Sequence, residues 1–189
     1  MSFSSLGLCK AIVENVTKQG YTSPTDIQAR AIPVVLKQQD VVAIAHTGTG
    51  KTASFTLPII ELLSNDISKT VLASGEVSAL IIAPTRELAA QVLANINTYQ
   101  QHINLRSVAV YGGVRIEPQL DALAQGVDIL VATPGRLIDL YNRQAVNFDA
   151  LQILVLDEAD RMLDLGFIDD IKHIQTCLPK KRQTLMFSA

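Results

Sequence analysis

The stretch Ala45-His46-Thr47-Gly48-Thr49-Gly50-Lys51-Thr52 decides the reading of this chain. The apolar run Val41-Val42-Ala43-Ile44 precedes it, and Ala53-Ser54-Phe55-Thr56-Leu57 can continue it as a helix. Strand, glycine-rich turn and a Lys-Thr pair opening a helix form the context of a phosphate-binding loop. Glycines let the backbone wrap closely, so that successive N–H groups point at an anion. A helix starting near Gly50 adds its positive end. Lys51 would reach the β- and γ-phosphates of a nucleoside triphosphate, and the Thr52 hydroxyl would hold Mg²⁺. The general pattern has Gly at its first position, where this chain has Ala45. The alternative is a glycine turn that carries no ligand.

Outward from this loop, the 189 residues suit one domain, burying ~70% of the surface of the unfolded chain. With 48% hydrophobic and 18% charged residues, the composition is that of an ordinary globular protein. No apolar run approaches the ~18 residues of a membrane span. The N-terminus has no basic stretch of the kind that opens an export signal. Cys9 and Cys177 lie far apart and read as reduced thiols of a cytoplasmic protein. A net charge of −2 does not advertise nucleic-acid binding, so any such surface must be local.

Upstream, Leu8, Ile12, Val13 and Val16 fall at helical spacing between Ser5 and Lys18, and Gly20 is a plausible stop. Pro24 favours an extended residue before it, and Thr25 can cap a helix to about Leu36. Gln28, near that helix start, could offer a donor and an acceptor to a flat heterocycle; on local pattern alone, a solvent-facing side chain is the better reading. Downstream, a helix runs to about Leu63 and a polar surface loop covers Ser64 to Ser78. Five further strands follow: Ala79–Ala83, Ser107–Tyr111, Ile129–Ala132, Ile153–Leu156 and Thr184–Phe187. Six apolar strands alternating with helical stretches predict an α/β fold, a mostly parallel sheet with helices on both faces. Every polar motif follows a strand, so all converge on the carboxyl rim of the sheet.

At that rim, Asp157 follows four apolar residues and could hold Mg²⁺ among retained waters. Glu158 could polarise an attacking water. Phosphoryl transfer asks mainly for positioning and charge neutralisation, which these groups could supply. The competing reading is an acidic cluster that stabilises the next helix start. Arg86 and Arg136 each adjoin a Thr and a helix start, the typical contacts to a sugar-phosphate backbone, and Gly112-Gly113 would allow its close approach. Taken singly, each is an ordinary turn with a solvated charge.

Taken together, the chain resembles the N-terminal RecA-like domain of a DEAD-box ATP-dependent RNA helicase, over nearly its whole length. Asp157-Glu158-Ala159-Asp160 matches the tetrapeptide that names the family, and residues 45–52 match its phosphate loop, where Ala at the first position is normal. His46 stands where Gln is commoner. Pro84 to Ala89 resembles the PTRELA motif, Gly112-Gly113 the GG motif, Thr133 to Arg136 the TPGR motif, and Ser188-Ala189 the start of the SAT motif. Gly20 to Gln28 resembles the Q motif, with Phe3 at the spacing of its upstream aromatic; Thr22, Ser23 and Asp26 depart from the usual residues.

The resemblance implies ATP and Mg²⁺ as cofactors. Phe3, Tyr21 and Gln28 would take the adenine, and Thr47, Gly48, Thr49, Gly50, Lys51 and Thr52 the phosphates. Thr52 and Asp157 would hold the metal. Lys51, Asp157 and Glu158 would serve hydrolysis, with Asp160 and Ser188 coupling it to strand separation. Thr85, Arg86, Gly113, Thr133, Gly135 and Arg136 would grip single-stranded RNA through its backbone, independently of sequence. It also implies a second RecA-like domain beyond the residues present, supplying an arginine finger worth ~10³–10⁵ in rate. The expectation is a monomeric, cytoplasmic enzyme of which this chain is the nucleotide-binding half, nearly inactive alone. A nucleotide or RNA clamp without catalysis, or a DNA-directed motor, are the rival readings.

Overall fold

Short runs of Val, Ile, Leu and Ala set the sheet, because a strand covered on both faces needs apolar residues at every position. The computed structural model describes residues 2–46, 48–66 and 71–189. Six strands, β1 (Val41–Ile44), β2 (Val77–Ile82), β3 (Ser107–Val110), β4 (Val127–Ala132), β5 (Ile153–Leu156) and β6 (Gln183–Ser188), form one sheet in the order β1-β6-β5-β2-β4-β3. Every pairing is parallel, so all six carboxyl ends lie on one rim. The strands β2, β4 and β5 are buried at every residue.

Helices α1 (Lys10–Lys18), α2 (Asp26–Leu36), α3 (Lys51–Ser64) and α4 (Arg86–Tyr99) contribute to one core. There Ile12, Ile32, Phe55, Ile59 and Ile96 meet Ile81, Val131, Val155 and Phe187 of the sheet. Phe55 and Phe187, with ring centroids 5.0 Å apart, pin α3 to β6. Helices α5 (Glu117–Leu123), α6 (Pro134–Asn142), α7 (Ala159–Asp164) and α8 (Ile168–Cys177) cover the opposite face. Leu123, Leu137, Met162 and Ile174 there meet Leu80, Ile82, Leu130 and Leu154. Residues 80, 81 and 82 thus point to alternate cores, the period-two signature of a strand.

β1 lies at the sheet edge. Val42 and Ile44, one pleat apart, are 70% and 75% exposed. They border a groove of about 810 Å³ shared with Asp26, Arg30 and Val34 of α2.

Three expectations from the sequence change. The single helix expected from Ser5 is broken: Phe3–Leu6 is a 3-10 turn, Gly7 follows at φ 95°, and α1 begins only at Lys10. The Cys9 N–H is taken by the buried Glu61 carboxylate at 2.7 Å, which gives α1 its start. The loop expected over Ser64 to Ser78 gives up its last two residues to β2, where Ser78 is buried and its carbonyl accepts from Gln152 N at 2.8 Å. Positions 67–70 of that loop lie outside the described residues. Gln28 is 2% exposed rather than solvent-facing. Cys9 and Cys177 are both free, and among the described residues no helix is long and apolar enough to cross a membrane.

Candidate functional site

The glycine turn after β1 is held from three sides. Gly48 and Gly50 have φ of 82° and 84°, values that carry little penalty only without a Cβ. Gly50 caps α3, and its carbonyl accepts from Ser54 N at 3.2 Å, Ser54 Oγ at 3.1 Å and Gln28 Nε2 at 3.2 Å. The Thr49 hydroxyl donates to the His46 carbonyl at 2.7 Å. Thr47, expected among the phosphate ligands, lies outside the described residues.

Gln28 sits three residues inside the Thr25 cap of α2. Its Oε1 accepts from Thr25 N at 3.0 Å in a capping box, while its Nε2 reaches the turn. Of the aromatic residues near this end, Tyr21 is 47% exposed, whereas Phe3 is buried in the α1–α4 core.

Neighbouring strands then bring the charged groups together. Lys51 is buried, and its ammonium donates to the Ser188 carbonyl at 3.3 Å. Ala45 N donates to the same oxygen at 3.1 Å, so the end of β6 anchors both ends of the turn. Asp157, at the tip of β5, is 2% exposed. Burial, and next the charge of Glu158, push its carboxyl up to about 6, against a smaller opposing pull from Lys51. An ionised carboxylate held this way is short of positive charge. A carboxylate is a hard oxygen donor of the kind that suits Mg²⁺, as is a hydroxyl such as that of Thr52 in the first turn of α3. Among the described residues no cluster of three or more His, Cys, Asp or Glu could hold a metal, so a cation here would draw most of its ligands from water and phosphate.

Glu158 caps α7 with left-handed backbone angles, φ 52° and ψ 52°, uncommon for a residue with a side chain. One turn on, Arg161 Nη1 binds Glu158 Oε2 at 3.1 Å. The Asp160 carboxyl is held below its usual value, first by the Ser188 hydroxyl and also by the Ala189 N–H, 3.4 Å from Oδ1.

On the other half of the rim, Thr85 caps α4 by accepting from Leu88 N at 3.3 Å. Arg86 is exposed beside Gly113, which has φ of 80°. Thr133 and Pro134 open α6. Arg136 Nη2 donates to the Val114 carbonyl at 3.1 Å, while its Nη1 is buried without a protein partner. Arg86, Thr133, Pro134, Gly135 and Arg136 border an open groove of about 440 Å³ together with Pro84, Gly112, Asp139 and Phe167, whereas Thr85 and Gly113 are not on its lining. Sequence spacing carried no sign of Phe167 at this groove, because the turn after α7 is what brings it there. The i,i+3 spacing of Glu158 and Arg161 was visible, although the helix start at residue 159 had to be known to use it.

An all-parallel sheet, helices on both faces and a glycine turn leading from the edge strand into α3 place the fold in the RecA-like class of P-loop domains. A family profile described as DEAD/DEAH box helicase matches residues 25–189. Relatives include the DEAD-box ATP-dependent RNA helicase RhpA of Helicobacter pylori, 43% identical over 100% of this chain and 37% of its own length. The ATP-dependent RNA helicase CshA of Listeria monocytogenes is 46% identical over 99% of this chain and 35% of its own. The crystal structure of a DEAD box protein from the hyperthermophile Methanococcus jannaschii superposes with a TM-score of 0.91 at 41% identity, covering 100% of this chain and 50% of that one. The chain belongs to the DEAD/DEAH box helicase family, and it spans about a third of the length of these curated relatives.

Proposed function

We propose that this chain is the ATP-binding half of an ATP-dependent RNA helicase. The observation that carries the reading is the convergence of the glycine turn, the buried Lys51 and the buried Asp157 at the adjacent ends of β1, β6 and β5. The backbone from Gly48 to Gly50 and the start of α3 would cradle the phosphates, as would Thr47 and Thr49. Lys51 would leave the Ser188 carbonyl to neutralise the β- and γ-phosphates. Mg²⁺, held by Thr52 and Asp157, would supply charge neutralisation at those oxygens. Glu158 would orient the attacking water and accept its proton.

Gln28 and Tyr21 would face the adenine; Phe3 would stack on it only by turning its ring out of the core. Thr85, Arg86, Gly113, Thr133, Gly135 and Arg136 would hold an RNA strand by its backbone, with the unpaired Arg136 Nη1 available for a phosphate. Asp160 and Ser188 would carry the state of the metal site into β6. A second RecA-like domain would complete the ATP site, so the chain alone would bind nucleotide and turn over little. Titration of the chain with ATP-Mg, against Lys51→Ala, tests the binding site; full affinity in the variant would end the phosphate assignment. In the full-length parent, Glu158→Gln should abolish RNA-stimulated ATP hydrolysis, and equal stimulation by DNA would defeat the RNA assignment.

A further inference from the structure

The carboxylate of Glu158 is not free to turn. Its Oε2 is engaged by Arg161 Nη1 at 3.1 Å, and its side chain is only 20% exposed, whereas that of Arg161 is 53% exposed. The backbone adds a second constraint, because the left-handed angles of Glu158 aim the side chain away from the path an ordinary helical residue would give it. Helix α7 begins at the next residue, so position 161 returns one turn later on the same face, which brings the guanidinium over the carboxylate. An exposed ion pair of this kind adds little to stability, so anchoring α7 is a poor account of it.

We propose that Arg161 is a positioning residue for Glu158: by holding one carboxylate oxygen it fixes the direction of the other toward the reacting water. The proposal rests on the reading of Glu158 as the group that orients that water. A carboxylate with three freely turning side-chain bonds presents its oxygen in many directions, of which few lie in line with the phosphorus. Misplacement by ~1 Å can cost ~10²-fold in rate. Arg161 itself touches neither nucleotide nor water in this scheme.

The test uses the full-length parent and RNA-stimulated ATP hydrolysis. Arg161→Ala should lower kcat about 10-fold, a fraction of the ~10²–10⁴ that a positioned acid–base group contributes, with KM for ATP and half-saturation by RNA within about 2-fold of wild type. Arg161→Gln, which keeps an N–H for Oε2 without the charge, should recover more than half of the lost rate if orientation is what matters. Thermal melting of both variants should stay near that of wild type. An unchanged kcat in Arg161→Ala, no recovery in Arg161→Gln, or a loss that appears in KM instead of kcat would overturn the proposal. Glu158→Gln run alongside separates the two levels. If it retains turnover, the role of Glu158 fails and Arg161 falls with it; if it is dead while Arg161→Ala is normal, only the positioning role fails.

Discussion

Gln28 and Gly50, 22 residues apart in the chain, are joined by a hydrogen bond of 3.2 Å from the Gln28 amide to the Gly50 carbonyl. The same amide caps α2 through Thr25 N, so one buried side chain fixes the start of α2 against the start of α3. The turn is thereby shaped before any ligand arrives. Gln28→Ala leaves Thr25 N without its acceptor and should cost about 1–3 kcal/mol, a fall of several degrees in melting temperature. Gln28→Glu keeps the cap acceptor but loses the donor and places a negative charge beside the turn. It should therefore spare stability more than it spares affinity for ATP-Mg. Calorimetric titration of both variants checks this; wild-type affinity in Gln28→Glu would separate Gln28 from the nucleotide site.

Gly48 and Gly50 share nearly the same left-handed backbone but have different surroundings. A Cβ at Gly48 would meet nothing within 4 Å, whereas one at Gly50 would overlap Gln28 Nε2 and come within 3.4 Å of Thr25 Oγ1. Gly48→Ala should cost only the backbone strain, about 1–2 kcal/mol. Gly50→Ala should cost that and the displacement of Gln28, and its deficit should shrink in a Gln28→Ala background. Urea unfolding of the two single variants and the double variant measures the coupling, and additive effects would show that the glycine is free of the glutamine.

The strands were the most legible part of the chain, because β1, β5 and the centres of β2 and β4 are unbroken apolar runs that no other element of this length explains. Helix α2 could also be read, from Thr25 at its cap to Leu36 at its end. What could not be read depended on partners distant in sequence. The start of α1 is set by Glu61 of α3, and Gln28 is buried because the turn at Gly50 closes over it. Ser78 looked like loop because it is polar, yet it sits inside a strand whose backbone pairing, not its side chain, holds it there. The polar motifs could be placed on one rim from the sequence. Which of them touch depended on the strand order, which sets β6 between β1 and β5.

Asp157 should make stability depend on pH in a direction opposite to an ordinary paired carboxylate. Burial raises its carboxyl from 3.8 to about 6 in the folded chain, with the charge of Glu158 adding to this. The folded state then holds the proton more tightly than the unfolded one. The stabilisation from protonation is fully present below about 4 and is lost as pH rises through about 6. Asp157→Asn has no charge to bury, so it should be more stable than wild type by about 3 kcal/mol at pH 7.5, with most of the gap closed by pH 4. Urea midpoints across that range, in metal-free buffer, read the difference; a gap that stays constant with pH would exclude this origin.

The edge of the sheet at β1 should govern how the isolated chain behaves at high concentration. Val42 and Ile44 expose apolar side chains on a strand that, among the described residues, pairs on one side only, with β6, and such an edge is a template for pairing with another chain. A charge on this face blunts it at little expense, since a surface change of this kind stays within about 0.5 kcal/mol. Val42→Lys should therefore leave the melting temperature nearly unchanged while lowering light scattering in concentrated samples. A matching lysine in place of exposed Leu163 of α7, which is 57% exposed but on a helix, should do less, because a helix offers no unpaired backbone. Equal effects of the two would mean that apolar area alone, not the open strand, drives association.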